Sequence, residues 1–130
     1  MSNVRIGLIG GSGFERLLQS GEVKRMGTPY GPSPDITVAK VDGTAVAFLP
    51  RHGAHHDSPP HKVNYRANLW SLKQLGVERI VATNAVGAMR ESYRPGDLAI
   101  PVDLVDFTRL RTQTFYDSDK VVHVDATDIY

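Results

Sequence analysis

The chain has 130 residues, one domain's worth, and its 41% hydrophobic and 22% charged residues sit near the globular average, which excludes wholesale disorder. Fifteen Lys+Arg against fourteen Asp+Glu leave a formal charge of +1, which announces neither a nucleic-acid nor a membrane partner and leaves small anions open, since those need only local charge. The absence of cysteine removes a disulfide framework, a thiolate nucleophile and a zinc–sulfur site together, and fits a cytoplasmic location.

Residues 4–9, Val-Arg-Ile-Gly-Leu-Ile, predict a buried strand that stops at Gly10-Gly11. The start of the chain runs straight into it without a signal-peptide core, and no later apolar run approaches the roughly 20 residues that cross a bilayer. Residues 14–19 suit one or two helical turns. Residues 27–34, rich in glycine and proline, read as a loop. Residues 36–40 and 44–49 predict two strands joined through Asp42-Gly43, a good hairpin turn. Residues 50–61 hold three prolines and four histidines and fit no regular element. Residues 63–75 predict the clearest helix, with Leu69, Leu72 and Leu75 on one face and Gly76 as its C-terminal cap. Another strand is expected at 78–83, a turn at 93–97 and a further strand at 98–102, after which no periodicity remains. Strands alternating with a helix, together with the hairpin, predict an α/β fold: a mixed twisted sheet with flanking helices, in a single domain over residues 1–130.

Three loops directly follow predicted strands, and each is suited to an anion. Gly10-Gly11-Ser12-Gly13 lets backbone N–H groups converge and adds a serine hydroxyl. It is neither a dinucleotide fingerprint, because the third glycine position falls on Arg16, nor a Walker A loop, because no Gly-Lys-Ser/Thr follows. A plain glycine turn is the competing reading. The second loop, Pro50-Arg51-His52-Gly53, sets a guanidinium at a strand end, where α/β folds place ligands and where it can grip phosphate with two prongs. His52, His55, His56 and His61 could instead be idle or bind a metal. Against a metal, Asp57 is the sole nearby carboxylate and Pro59-Pro60 excludes helical i, i+4 spacing. The third loop, Thr83-Asn84-Ala85-Val86-Gly87-Ala88, offers two side-chain donors and free amides, or simply a tight crossover. If the three ends converge on one crevice, they can hold a single oxyanion with amides, hydroxyls and a guanidinium.

At these loops the chain resembles the purine nucleoside phosphorylase superfamily, most of all its 5′-methylthioadenosine phosphorylase branch. The resemblance rests on residues 7–14 (Gly-Leu-Ile-Gly-Gly-Ser-Gly-Phe), 48–53 (Phe-Leu-Pro-Arg-His-Gly) and 59–68 (Pro-Pro-His-Lys-Val-Asn-Tyr-Arg-Ala-Asn). Residues 84–88 (Asn-Ala-Val-Gly-Ala), 94–97 (Arg-Pro-Gly-Asp) and 113–117 (Gln-Thr-Phe-Tyr-Asp) continue it in the same order. It implies phosphorolysis of a purine nucleoside to a free base and a ribose 1-phosphate. It also implies that Ser12, Arg51, His52, Asn84 and Ala85 bind phosphate, with Asn84 standing where many members carry Thr or Ser. His56 then lines the phosphate and ribose side, and His123 reaches a neighbouring subunit's 5′ pocket. The resemblance implies no metal and no organic cofactor, phosphate being a co-substrate, and it suggests a trimer or a pair of trimers.

Members of this family are substantially longer, and their purine-recognising aspartates, ribose-gripping segment and closing helices have no counterpart here. The expectation is therefore an N-terminal portion of a phosphorylase fold, completed by a second chain or by a missing segment. Residues 1–130 alone are expected to aggregate or form oligomers. The alternative is a phosphate-binding or assembly module without turnover, because the base-binding half is absent.

Overall fold

The computed structural model describes residues 4–11, 20–127 and 129, so that Ser12 and the helical turns expected at 14–19 lie outside the described residues. The chain divides into two units, Met1–Ala85 and Val86–Tyr130. Among the described residues of the first, the strands are β1 (Ile6–Gly10), β2 (Glu22–Lys24), β3 (Gly27–Thr28), β4 (Gly31–Pro32), β5 (Ile36–Val41), β6 (Thr44–Pro50) and β7 (Arg79–Ala82), with a 3₁₀ turn at Pro60–Lys62 and the helix α1 (Tyr65–Gln74).

The main sheet has the order β2-β5-β6-β1-β7. β1 runs parallel to both β6 and β7, while β5 is antiparallel to β2 and β6, so the sheet is mixed as expected. The hairpin between β5 and β6 turns at Asp42 and Gly43, whose φ values of 48° and 79° are the positive pair a two-residue turn of this hand requires. The second half of β6, Ala47 to Pro50, is buried throughout, the continuous apolar run of a strand covered on both faces.

Register decides which residues meet α1. Val38, Ala47 and Gly7 lie opposite one another across three strands and so share a face. A side chain at Gly7 would come within 3.0 Å of Val77 and 3.4 Å of Leu72, so its absence lets the helix side lie close on the sheet. Leu72 and Val77 join Val4, Ile36, Val38, Ala47 and Leu49 in one core. At ~1.5–3 kcal/mol for each fully buried aliphatic side chain, this cluster is the main stabilising feature of the unit.

The helix starts two residues later than its periodicity suggests because Asn64 caps it, the side-chain oxygen accepting from Ala67 N at 3.1 Å. It ends as expected at Gly76, at φ +91°. Of the expected Leu69–Leu72–Leu75 stripe, Leu72 is in the core and Leu75 packs partly buried against it, but Leu69 is not buried. Ala67, Asn68, Ser71 and Leu72 face inward while Leu69 is 37% exposed. Small residues let the helix approach the sheet, and Ser71 is tolerated there because its hydroxyl donates to the Ala67 carbonyl at 2.7 Å.

Two further expectations change in this unit. The segment read as a loop at 27–34 carries the β3–β4 ribbon, held by the Thr28 hydroxyl on Gly31 O at 2.5 Å. β2 was not anticipated: Glu-Val-Lys carries no apolar alternation, and the strand exists because the β5 edge offers it pairing.

In the second unit no helix or strand occurs among the described residues. The turn at 93–97 forms as read, with Asp97 N on Arg94 O at 3.0 Å, Arg94 N on the Asp97 carboxylate at 2.8 Å, and Gly96 at φ +96°. The strand expected at 98–102 is absent. Leu98, Ile100 and Val102 alternate correctly, but they are 98%, 88% and 89% exposed, with no neighbouring strand to complete a ladder, and Pro101 removes a donor. No helix among the described residues is long and apolar enough to cross a membrane.

Candidate active site

Three parallel strands end side by side, and the loops that leave them begin in contact. Arg51 N donates to Gly10 O at 2.9 Å and Thr83 N to Ile9 O at 2.9 Å, so the β1–β6 and β1–β7 ladders run on past the strands. Arg51 is thereby set beside Gly11 and Thr83 beside Gly10, although each comes from a different part of the sequence. The convergence expected of the three loops holds for their described residues, at the carboxyl ends of the strands.

Arg51 is fixed from two sides. Its Nη1 donates to Thr83 O at 3.1 Å and its Nε lies 3.4 Å from His52 Nε2. Its Nη2 lies against Gly11, where a Cβ would stand only 3.2 Å away. His52 is held in turn. Its Nδ1 is 2.9 Å from Ser58 O. A carbonyl only accepts, so Nδ1 carries the proton and Nε2 is left to accept from Arg51.

The loop that carries these groups is a tight knot of backbone hydrogen bonds. Gly53 N donates to Pro50 O at 3.1 Å and Ser58 N to His52 O at 3.0 Å. Gly53 sits at φ +80°, and the Asp57 carboxylate occupies the space its Cβ would take. Glycine is therefore required twice over. His56 is itself left-handed at φ +56°, and its ring stacks on that of His52 with centroids 6.3 Å apart and planes 17° from parallel. His52 and His56 thus form a stacked pair, with His52 against the arginine. A cavity of about 410 Å³ opens beside them, lined by Arg51, Gly53, Asp57, Lys62, Asn64 and Asn68 among others, a size suited to a small organic ligand.

The expected site residues are distributed as follows. Arg51, His52 and His56 are brought together. Asn84 and Ala85 follow Thr83 directly and are exposed. Ser12 lies outside the described residues, and His123 is exposed in the second unit. Sequence reasoning named Thr83 only as a side-chain donor of the third loop; it did not anticipate that the Thr83 carbonyl anchors the guanidinium or that the Ser58 carbonyl sets the histidine tautomer. Backbone acceptors carry no side-chain signature, so only Thr83's position at the end of a predicted strand could have pointed to it.

A mixed sheet whose parallel strand ends carry an anchored guanidinium defines an α/β protein with a basic group at the carboxyl ends of its strands. A model of the phosphorylase superfamily matches residues 5–130, and the chain belongs to that superfamily. It is 55% identical over 128 residues to a probable S-methyl-5′-thioinosine phosphorylase of Methanothermobacter thermautotrophicus, an alignment covering 96% of this chain and 45% of the relative. It is 50% identical over 125 residues to the S-methyl-5′-thioadenosine phosphorylase of Thermococcus kodakarensis, covering 95% and 49%. A methylthioadenosine phosphorylase from Schistosoma mansoni, solved with adenine, superposes with a TM-score of 0.86 at 41% identity, over 98% of this chain and 49% of that one. The chain spans about half the length of the curated relatives it matches.

Proposed function

We propose that this chain carries the phosphate-binding half of an enzyme that cleaves a purine nucleoside by phosphorolysis. A phosphate oxygen forms a bond to the anomeric carbon as the bond from that carbon to the purine nitrogen breaks and the base leaves with its electron pair. The products are a free purine and a ribose 1-phosphate, or the 5-methylthio sugar where the nucleoside is methylthioadenosine or its 6-oxo counterpart. The relatives' names divide between those two bases, so the substrate class is the purine nucleosides as a whole.

The observation that supports this reading is Arg51, held by the Thr83 carbonyl and His52 at the ends of three parallel strands, in a chain of the phosphorylase superfamily. A cationic sugar forms in the transition state between a departing base and an arriving dianion. Rate comes from holding that dianion beneath the sugar with donors already in position. Arg51, His52, Ser12, Asn84 and Ala85 form the phosphate cradle. His56 and His123 serve the sugar side. The reaction needs no metal or organic cofactor.

Residues 1–130 act as the N-terminal portion of one phosphorylase domain, completed by further sequence or by a second chain. The assembled enzyme is a homotrimer or hexamer of the cytoplasm and acts in purine salvage. In support, β7 ends the sheet with Ile80 and Val81 43% and 54% exposed.

The test is phosphate-dependent base release from adenosine, inosine and 5′-methylthioadenosine by the full-length protein. Arg51→Ala should raise the KM for phosphate by about 10- to 100-fold, the loss of charge-assisted hydrogen bonds, with the nucleoside KM little changed. Arg51→Lys should rescue poorly, because an ammonium lacks the fork. An unchanged phosphate KM in Arg51→Ala would sink the proposal. Phosphate binding by calorimetry without turnover on any nucleoside would favour instead a binding module, the reading kept open by the chain's half-length match.

A further inference from the structure

Among the buried side-chain polar atoms of the described residues, one has no hydrogen-bond partner: the hydroxyl oxygen of Thr83. Native structures rarely leave such an atom orphaned, and an exception asks for a partner that arrives from outside the fold. Its position makes that partner specific. Thr83 follows the last residue of β7, and its backbone is pinned on both sides, N–H to Ile9 O at 2.9 Å and C=O to Arg51 Nη1 at 3.1 Å. The residue cannot shift to find an internal acceptor without releasing the arginine, and a β-branched side chain has few rotamers to try.

We infer that the Thr83 hydroxyl is an additional oxyanion-binding group, donating its proton to an oxygen of the phosphate that Arg51 grips. This rests on the phosphate-binding reading of the site and extends it by one residue. The chemistry is suitable. The hydroxyl is a neutral donor that adds a hydrogen bond without adding charge, and the cost of removing it from water is already met in the fold. Thr83 then works twice, its carbonyl orienting the guanidinium and its hydroxyl completing the cradle. The site accepts an unsatisfied polar atom when empty and recovers that loss only when loaded.

The test compares wild type, Thr83→Val, Thr83→Ser and Arg51→Ala in the full-length protein, with inorganic phosphate as the titrant in calorimetry and in thermal melts. Thr83→Val keeps the shape and removes the hydroxyl. It should weaken phosphate binding about tenfold, raise the phosphate KM in proportion and leave the nucleoside KM within twofold. It should also melt higher than wild type without phosphate while gaining less when phosphate is added. Thr83→Ser should restore affinity to within about threefold, the hydroxyl being retained. Should the valine variant fail to fold, Thr83→Ala must show the same loss of affinity. Wild-type phosphate affinity in Thr83→Val or Thr83→Ala overturns the inference while leaving the site reading intact. Phosphate affinity equally poor in wild type and Arg51→Ala overturns both.

Discussion

The two units of the chain are comparably supplied with large apolar side chains and use them in opposite ways. In Met1–Ala85, Ile36, Leu49 and Leu72 are fully buried, because strands far apart in sequence pair in register and a capped helix lies across them. In Val86–Tyr130, Met89, Leu98 and Leu110 are essentially fully exposed, and the backbone is held by local turns such as Arg94–Asp97 and by Asp106 accepting from Thr108 N at 2.8 Å. The difference teaches that apolar content alone does not make a core. Burial needs a partner surface, and the second unit contains alternating sequence at 98–102 without a strand to receive it. Exposed apolar surface on this scale marks a contact surface or an aggregation liability.

The largest expected effect separates the units directly. Leu72→Ala should cost about 2–5 kcal/mol in urea unfolding followed through the single tryptophan, Trp70, whereas Leu98→Ala should stay within about 0.5 kcal/mol. Equal costs would break the comparison. A partner that covers this segment should raise the Leu98 value, which would sharpen it. Next come the glycines at positive φ. Gly53→Ala must accept a left-handed conformation and displace the Asp57 carboxylate, so a loss of about 2–3 kcal/mol and a raised phosphate KM are expected. Gly96→Ala, at φ +96° with open space around it, should show only the backbone penalty of about 1–2 kcal/mol. A Gly53 variant no worse than the Gly96 variant would argue against a preorganised loop.

Gly11→Ala brings a methyl to within 3.2 Å of the Arg51 guanidinium. It should raise the phosphate KM a few-fold with little change in melting temperature. The smallest effects are electrostatic. The two-pronged hydrogen bond from Arg25, at 2.7 and 3.0 Å, holds the Asp35 carboxyl below the ordinary carboxylate range. The Thr108 hydroxyl and amide do the same for Asp106 in the second unit. A carboxyl whose pKa is lowered by folding adds stability that is present above its unfolded value, near pH 4, and is lost as pH falls through the folded one. NMR titration should find both carboxyls titrating low, with Arg25→Ala returning Asp35 alone to its ordinary range. Both pairs are solvent-exposed, so melting temperature should barely follow.

Much of the first unit was legible residue by residue. Branched runs marked β1, β5, β6 and β7, Asp42-Gly43 marked the hairpin and Gly76 the helix end, each through a preference that a few neighbouring residues express. The helix was legible and so was part of its inward face, Leu72 and Leu75, but Ala67 and Ser71 were not, because they are chosen by the closeness of the sheet rather than by hydrophobicity. The strand at 98–102 failed for the converse reason: its pattern was right and its partner missing. At the site, Arg51, His52 and the donors of the third loop could be read from their place after a strand, while the part of the Thr83 carbonyl could not, since a backbone acceptor leaves no mark in the sequence.

Turn chemistry, capping and strand propensity belong to residues adjacent in the chain, and so composition and order were enough to settle the α/β class and the three glycine-bearing or small-residue loops. The meeting of Gly11, Arg51 and Thr83, the tautomer of His52 and the isolation of the Thr83 hydroxyl depend on the register of β1 against β6 and β7. Register is a property of paired strands and not of any one of them, so these features came into being only when distant segments packed together.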